Sequence, residues 1–117
     1  MEWLIETILL LSENIRYVAI YNHDKLATSS RSGTTGASSS DSDKYEELIV
    51  NPTLLTLVTQ RGNIDCGGAK FISVRYGNFH QIIMPMAKGH ISICVEPHAD
   101  PLNLIEPIVN IVSQAST

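Results

Sequence analysis

"FISVRYGNFHQIIMPMAKGHISICVEP", residues 71–97, decides the fold of this 117-residue chain. β-branched and other apolar residues dominate three runs within it, and the turn-forming sequences "GN" and "AKG" separate the runs. Runs of this length between such turns are typical of antiparallel strands joined as hairpins. The segment is therefore predicted to form a three-stranded antiparallel meander.

The lengths of the two turns determine which side chains share a face of this meander. A two-residue turn at 77–78 pairs Arg75 with His80. The second turn contains Gly89 and accommodates either a three-residue or a four-residue loop. The three-residue loop places Glu96 opposite His80, whereas one more residue moves every side chain of the last strand to the other face.

With the three-residue loop, the meander has a core face and a mixed face. The core face, interrupted only by Gln81, holds Ile72, Val74, Tyr76, Phe79, Ile83, Ile91, Ile93 and Val95. The mixed face holds Phe71, Ser73, Arg75, His80, Ile82, Met84, Met86, His90, Ser92, Cys94 and Glu96. Because the mixed face is too polar for a second full core and too apolar for bare solvent, we expect the middle helix or a partner chain to cover part of it.

Three of the four histidines and one of the two cysteines lie in the stretch Tyr76–His98, which raises the question of a metal or catalytic site. On one strand, His90 and Cys94 are about 13 Å apart, whereas two zinc ligands must both lie within about 2.3 Å of the ion. His80 and His98 do not converge with them, so neither a metal nor another cofactor is predicted.

Arg75, His80 and Glu96 form a predicted polar row across the strands, in which the carboxylate would favour a charged imidazole. A solvated row is the better interpretation, although His80 and Cys66 would be the residues to test in an enzyme. No nucleophile elbow, paired carboxylates or Ser-His-Asp arrangement appears. The chain is therefore predicted not to be an enzyme.

Outside the meander, helical periodicity between Trp3 and Leu11 predicts a first helix. A hairpin follows, with strands at Ile15–Asn22 and Lys25–Ser30 around a tight His-Asp turn. After the meander, Asp100 and Pro101 are typical of a helix start, and the last helix is expected to kink or split at Pro107.

Residues 32–43 are almost all Gly, Ser, Thr and Asp, and a flexible loop is predicted there. Ser42 or Asp43 would cap the middle helix. Asn51 and Pro52 would restart it, giving one kinked helix or two joined helices, and Gly62 or Asn63 would end it. The whole chain, 1–117, is thus predicted to be one α+β domain in the order α-β-β-α-β-β-β-α, with a five-stranded antiparallel sheet flanked by helices.

The composition and charge of the chain limit the classes of binding partner that we expect. The net charge is −4, and eight Lys and Arg residues are scattered along the chain, so nucleic acid is not expected. The apolar N-terminal run lacks a basic region and is shorter than the roughly 20 residues of a membrane span, so no membrane insertion is expected. Cys66 and Cys94 match no metal-ligand spacing, and free thiols in the cytoplasm are the expectation.

The order of elements resembles the roadblock family, the dynein light-chain-like domains with a profilin-like or longin-like arrangement. "RYVAIYNHDKLATSS" is similar to the first hairpin of that family, and the segment 71–97 is similar to its closing meander. The chain departs from the family in the "HD" of its first turn, where glycine is usual, and in the long Ser-rich loop.

The resemblance implies a non-enzymatic interaction module that forms homodimers and serves as a platform or regulator for a small GTPase or a larger complex. The family's dimer contact would correspond to Lys44–Arg61 and Lys70–Tyr76. Together with the mixed face, this predicts an interface of Leu54, Leu55, Val58, Phe71, Ser73, Ile82, Met84 and Met86. The alternative is a sensor domain of the PAS or GAF type, with a small ligand held near His80, Gln81 and Cys94.

Overall fold

The computed structural model describes residues 2–34 and 36–115. Its helices and strands follow the predicted order. They are α1 (Glu2–Leu9), β1 (Ile15–Asn22), β2 (Lys25–Ser30), α2 (Ser40–Tyr45), a π-helical turn (Glu46–Val50), α3 (Asn51–Asp65), β3 (Ile72–Arg75), β4 (His80–Met86), β5 (Gly89–Val95), a 3₁₀ turn (Pro101–Leu104) and α4 (Ile105–Ala115). None of these helices has the length and apolar character needed to cross a membrane.

The five strands form one antiparallel sheet in the order β2-β1-β5-β4-β3. Strand β5 lies at its centre between β1 and β4, although β1 and β5 are far apart in sequence, and β2 and β3 form its edges. Helices α1 and α4 cover one face, whereas the helical segment 40–65, here called the middle helix, lies over the other. The predicted α+β architecture is confirmed.

The two hairpins for which a two-residue turn was predicted have the predicted register. In the first, His23 and Asp24 have φ angles of 52° and 65°, the left-handed pair that a tight hairpin turn needs. In the second, Arg75 pairs with His80, as predicted from the "GN" turn.

The turn between β4 and β5 differs from both predicted lengths. Met86 pairs with Gly89, so the turn has only two residues, Ala87 and Lys88. Gly89 is not left-handed, and its role is steric, because a Cβ there would lie 1.7 Å from the carbonyl oxygen of Tyr21. Glycine is needed at this position because strand β1 passes it at backbone contact.

The shorter turn changes which residues share a face. Ile82 and Met84 lie opposite Ile93 and Ile91, so these residues of the predicted mixed face belong to the core. We call the buried cluster on this face the apolar layer, and α1 and α4 complete it. It consists of Leu4, Ile5, Ile8, Ile15, Val18, Ile20, Ile82, Met84, Ile91, Ile93, Val95 and Ile108.

The other face of the sheet is filled differently. A small apolar cluster of Tyr17, Ala19 and Cys94 lies there, with Leu26 and Phe79 packed against it. Around it, the interior contains buried polar side chains, which we call the polar layer. These are Glu47, Asn51, Gln81, His90 and Ser92.

The middle helix begins at Ser40, earlier than the predicted caps at Ser42 or Asp43. Ser39 is its N-cap, and its hydroxyl accepts a hydrogen bond from the Ser42 backbone amide at 3.1 Å. The Ser42 hydroxyl in turn accepts from the Ser39 amide, which completes a capping box. Of the predicted flexible loop 32–43, the last four residues are therefore helical, and Thr35 lies outside the described residues.

The middle helix is continuous through Pro52, and Asn51 does not cap it. Pro52 has no amide hydrogen, and its ring would crowd the carbonyl one turn earlier in a regular helix. The π-helical turn directly before it widens the backbone. In this turn, the backbone N–H of Asn51 donates to the carbonyl oxygen of Glu46. The helix ends at Asp65 and not at Gly62; Gly67 and Gly68 take the left-handed conformations after it.

The C-terminal helix starts as predicted, but it does not break at Pro107. Asp100 caps the 3₁₀ turn by accepting from the Leu102 amide at 3.0 Å. The change from 3₁₀ to α geometry comes at Ile105, which places Pro107 in the first turn of α4. The missing amide hydrogen costs little there, because first-turn amides have no partner within an α-helix.

Candidate functional site

Glu47 is the centre of the polar layer. Its side chain is 0% exposed, and Oε1 lies 2.8 Å from Nε2 of His90 on β5. The same oxygen accepts a hydrogen bond from the side-chain nitrogen Nδ2 of Asn51 at 2.9 Å, and Oε2 accepts from the Tyr17 hydroxyl at 3.3 Å. One carboxylate thus joins the middle helix to the two central strands.

The π-helical turn positions this carboxylate. Glu47 and Asn51 are four residues apart and both point into the interior, where Asn51 holds the carboxylate in place. His90 is 1% exposed, so the Glu47–His90 pair is shielded from solvent. Sequence reasoning missed the pair, although one signal existed: His90 interrupts an otherwise apolar strand end, which suggests a buried polar partner.

Burial and negative charge shift the pKa values around Glu47. The pKa of Tyr17 is raised well above its ordinary range by burial and then by Glu47. The pKa of the Cys94 thiol is likewise raised by burial and by the neighbouring carboxylates Glu47, Asp43 and Glu46. Cys94 is therefore a neutral thiol at physiological pH, the opposite of an activated nucleophile.

A cleft of about 300 Å³ lies between the middle helix and the sheet, beside the polar layer. We call it the helix–sheet cleft. Gln81 and Cys94 are among the sheet residues that line it. Its walls also hold three carboxylates and three aromatic rings, which are Asp43, Glu46, Glu47, Tyr45, Tyr76 and Phe79.

Glu46 and Tyr76 connect the walls of this cleft. The Tyr76 hydroxyl donates to Oε1 of Glu46 at 2.8 Å, whereas Oε2 of Glu46 is buried and has no hydrogen-bond partner among the described residues. Burial raises the pKa of Glu46, and the hydrogen bond from Tyr76 opposes this rise. Burial and the bond to Glu46 raise the pKa of Tyr76 to about 12. The tyrosine therefore stays a donor.

The solvent side of the middle helix is unusually apolar. Leu57 is 61% exposed and Ile64 is 75% exposed. We call the exposed apolar set the outer helix face, which consists of Tyr45, Leu48, Ile49, Leu57, Val58 and Ile64. The edge strand β3 pairs only with β4 within the described residues, and Phe71 before it is also exposed.

Comparison with solved structures shows a likeness over nearly the whole chain. No protein-family model and no curated protein sequence matches the chain. Among solved structures, the crystal structure of a Roadblock/LC7 domain from Streptomyces avermitilis superposes with a TM-score of 0.76 over 99% of this chain and 94% of that one. The chain has a roadblock-like fold. At 12% sequence identity the likeness establishes the fold alone.

The roadblock-like fold distributes the predicted interface residues between surface and core. Val58, Phe71 and Ser73 are exposed, and Leu54 is half-buried. Leu55 is buried on the inner side of the middle helix, so it is not available to a partner surface. Ile82 and Met84 are part of the apolar layer, so their assignment to a partner surface is wrong, whereas Met86 is half-buried and packs against that layer. The error follows from the shorter β4–β5 turn.

The predicted row of Arg75, His80 and Glu96 is only half formed. Arg75 and His80 are paired across β3 and β4, but His80 lies opposite Val95. Glu96 instead forms an ion pair with Arg16 at 3.3 Å. Nε2 of His80 lies 3.3 Å from the carbonyl oxygen of Pro97.

The residues proposed for a ligand or for catalysis also separate. Gln81 and Cys94 line the helix–sheet cleft, whereas His80 does not. Cys66 is exposed just after the middle helix, and its sulfur lies 3.3 Å from Oδ1 of Asp65. Within residues 2–34 and 36–115, no three His, Cys, Asp or Glu side chains are placed to hold one metal ion.

Proposed function

We propose that this chain is a non-enzymatic protein–protein interaction module that forms a homodimer through the outer helix face and the edge of β3. The observation that carries the proposal is the exposed apolar surface of the middle helix beside an open strand edge. Large exposed apolar patches are rare on monomers, and an open edge strand offers backbone groups for pairing. The roadblock-like fold supports the proposal by analogy.

The dimer is the scaffold in this proposal, and its partner is a small GTPase or a larger protein complex. No nucleic acid or membrane is among the proposed partners, in keeping with the net charge of −4. A cytoplasmic location is part of the same proposal, and the two free cysteines support it.

The mass of the protein in solution tests the dimer. Light scattering at tens of micromolar should give about 26 kDa, twice the 12.9 kDa of one chain. The double variant Ile49→Asp/Leu57→Asp places charges on the outer helix face and should yield a folded monomer. Leu10→Asp is the matched control, because Leu10 is 86% exposed on the other side of the sheet and should leave the dimer intact.

A wild-type protein that stays monomeric at this concentration would refute the dimer. If the double variant and the Leu10→Asp control both have the mass of a dimer, the contact lies elsewhere on the molecule. Affinity purification from native lysate with the wild type and the double variant then tests the partner. A small GTPase retained by the wild type is the expected result, and recovery of none would remove that part of the proposal.

A small-ligand sensor of the PAS or GAF type is the second candidate function. The observation in its favour is the helix–sheet cleft, which Gln81 and Cys94 line as that hypothesis requires. A cleft with an apolar wall and a few convergent polar groups is the usual form of a small-molecule site. Stabilisation against heat by one compound from a metabolite panel would support it, and a panel without effect would count against it.

A further inference from the structure

We propose that an amphipathic helix of a partner protein docks in an apolar groove on the α1/α4 side of the sheet. The groove has a volume of about 550 Å³ and lies between α4 and the segment 69–71, which leads into β3. We call it the terminal-helix groove. It is separate from the outer helix face, so the proposal goes beyond the functions proposed above and depends on neither. Its floor and walls include Phe71, Met84, Ile91, Ile105, Val109 and Val112.

The groove is present because α1 and α4 cover only part of the sheet. Helix α1 lies over β1 and β2, and α4 packs beside α1. Ser73 pairs with Ile82 and therefore shares the face of the apolar layer, yet Ser73 is exposed. Phe71, two residues earlier, is 36% exposed, whereas Met84 and Ile91 on the groove floor are buried. The layer of terminal helices thus ends near β4 and leaves apolar side chains beside it open to solvent.

The strand edge beside the groove favours a helix over an extended strand as the occupant. The pairing of β3 with β4 ends at Ile72 and Ile83, so the last residues of β4 border the groove. Pro85 lies among them, and it has no backbone N–H to donate to an added strand. A helix needs no such partner, because its backbone hydrogen bonds are internal. Apolar side chains at helical spacing along one stripe would fill the groove.

The charges on the two walls specify the flanks of that helix. Glu106 is the one charged residue of α4, and Lys70 lies on the opposite wall. Both are exposed, and neither forms an ion pair within residues 2–34 and 36–115. A helix with Lys or Arg on one flank and Asp or Glu on the other would meet an opposite charge on each wall. Helices α1 and α4 of a second copy do not fit this description, because neither contains Lys or Arg.

A synthetic helical peptide of about 18 residues is the probe for the groove. It carries a stripe of Leu, with Lys along one flank and Glu along the other; in a second peptide, Glu also replaces every Lys. Fluorescence anisotropy with labelled peptide at about 0.15 M salt should give saturable binding of the mixed peptide, about three- to tenfold tighter than that of the acidic peptide. Equal binding of the two peptides, or binding of neither, would overturn the proposal.

Val109→Asp tests where the peptide binds. Val109 is 44% exposed on the α4 wall, so the variant should fold normally and weaken binding of the mixed peptide about tenfold or more. Leu102→Asp is the matched control, because Leu102 is 58% exposed in the 3₁₀ turn and does not line the groove. It should bind the peptide as the wild type does. Equal weakening by both variants would indicate non-specific attachment and would overturn the proposal.

Glu106→Lys tests the assignment of charge. With both walls basic, this variant should bind the acidic peptide more tightly than the mixed peptide, which reverses the order found for the wild type. An unchanged order would overturn the charge complementarity.

Amide shifts locate the peptide on the wild-type protein without any substitution. On adding the mixed peptide, they should concentrate in 69–72, 84–86 and 105–113. Shifts centred on 45–64 would place the peptide on the outer helix face and would overturn the proposal.

Failure here remains distinct from failure of the dimer. Val109→Asp should keep the mass of the dimer, and the double variant Ile49→Asp/Leu57→Asp should still bind the mixed peptide. Loss of the dimer in Val109→Asp would mean that a second copy occupies the groove, which would overturn the proposal. A monomeric wild type that binds the mixed peptide would refute the dimer alone.

Discussion

The two faces of the sheet are filled with different chemistry. The apolar layer consists almost entirely of Ile, Leu, Val and Met side chains and is completed by two terminal helices. The polar layer beneath the middle helix instead buries a carboxylate, an imidazole and two amides, and leaves a cleft beside them. The first arrangement contributes stability through area removed from water, whereas the second fixes the position of one helix through buried hydrogen bonds.

The largest expected effect comes from breaking both layers at once. Gly89→Ala would place a Cβ 1.7 Å from a backbone oxygen of β1 and separate the central strands. We expect a loss of about 4 kcal/mol or more of unfolding free energy, measured by urea denaturation.

Gly77→Ala is the control for that change, because, apart from its chain neighbours, no heavy atom of the described residues lies within 4 Å of a Cβ at Gly77. This control should lower the unfolding free energy by less than about 1 kcal/mol. Similar costs for the two variants would mean that β1 does not approach Gly89 as closely as described.

The apolar layer by itself should respond to loss of volume. Ile93 is 0% exposed at its centre, and Ile93→Ala should lower the unfolding free energy by about 3–4 kcal/mol, because it removes buried methyl groups and leaves a cavity. Val109→Ala on the exposed side of α4 should change it by less than about 0.5 kcal/mol in the same denaturation experiment.

In the polar layer, replacing one member of the Glu47–His90 pair should lower the unfolding free energy more than expected from replacing both. His90→Leu leaves Glu47 with only the donors of Asn51 and Tyr17, and should cost about 2–3 kcal/mol. The double variant Glu47→Leu/His90→Leu should cost less than the sum of the single variants, with a coupling of about 1–3 kcal/mol. Strict additivity in this double-mutant cycle would show that the pair is not coupled.

The smallest expected effect is a pH dependence from the cleft. Because burial raises the pKa of Glu46, the folded state binds that proton more tightly than the unfolded state does. Stability is therefore lost as the pH rises from the ordinary carboxyl pKa of about 4.3 through the folded value.

Glu46→Gln cannot ionise, so it escapes this loss. Without ligand, the Tm of the wild type minus that of the variant should fall between pH 4 and pH 7, by at most about 4 °C. A difference that rises with pH would contradict the raised pKa.

Local sequence signals predicted much of the fold. The "HD" and "GN" hairpins came out with correct registers, because a two-residue turn and the alternation of side chains involve only neighbouring residues. The prediction failed at Gly89, whose requirement for glycine comes from β1, a strand nearly seventy residues earlier in sequence. The resulting shift in register moved Ile82 and Met84 from the expected interface into the core.

The candidate site was less accessible to sequence reasoning. Gln81 and Cys94, which the sequence reasoning singled out as polar or reactive groups on apolar strands, both line the helix–sheet cleft. No local pattern in the sequence marked Glu47 as a buried carboxylate. Its contact with His90 joins residues 43 positions apart, and no spacing rule connects them.

The sequence by itself determined the order of helices and strands and the two short hairpins, because periodicity and turn chemistry act over a few residues. Only the tertiary structure decided the β4–β5 turn, the buried Glu47–His90 pair and the helix–sheet cleft. Each of these features depends on which segment, distant in sequence, packs against a given backbone or side chain. A buried carboxylate is stable only where its donors are also placed, and that is a property of the assembled fold.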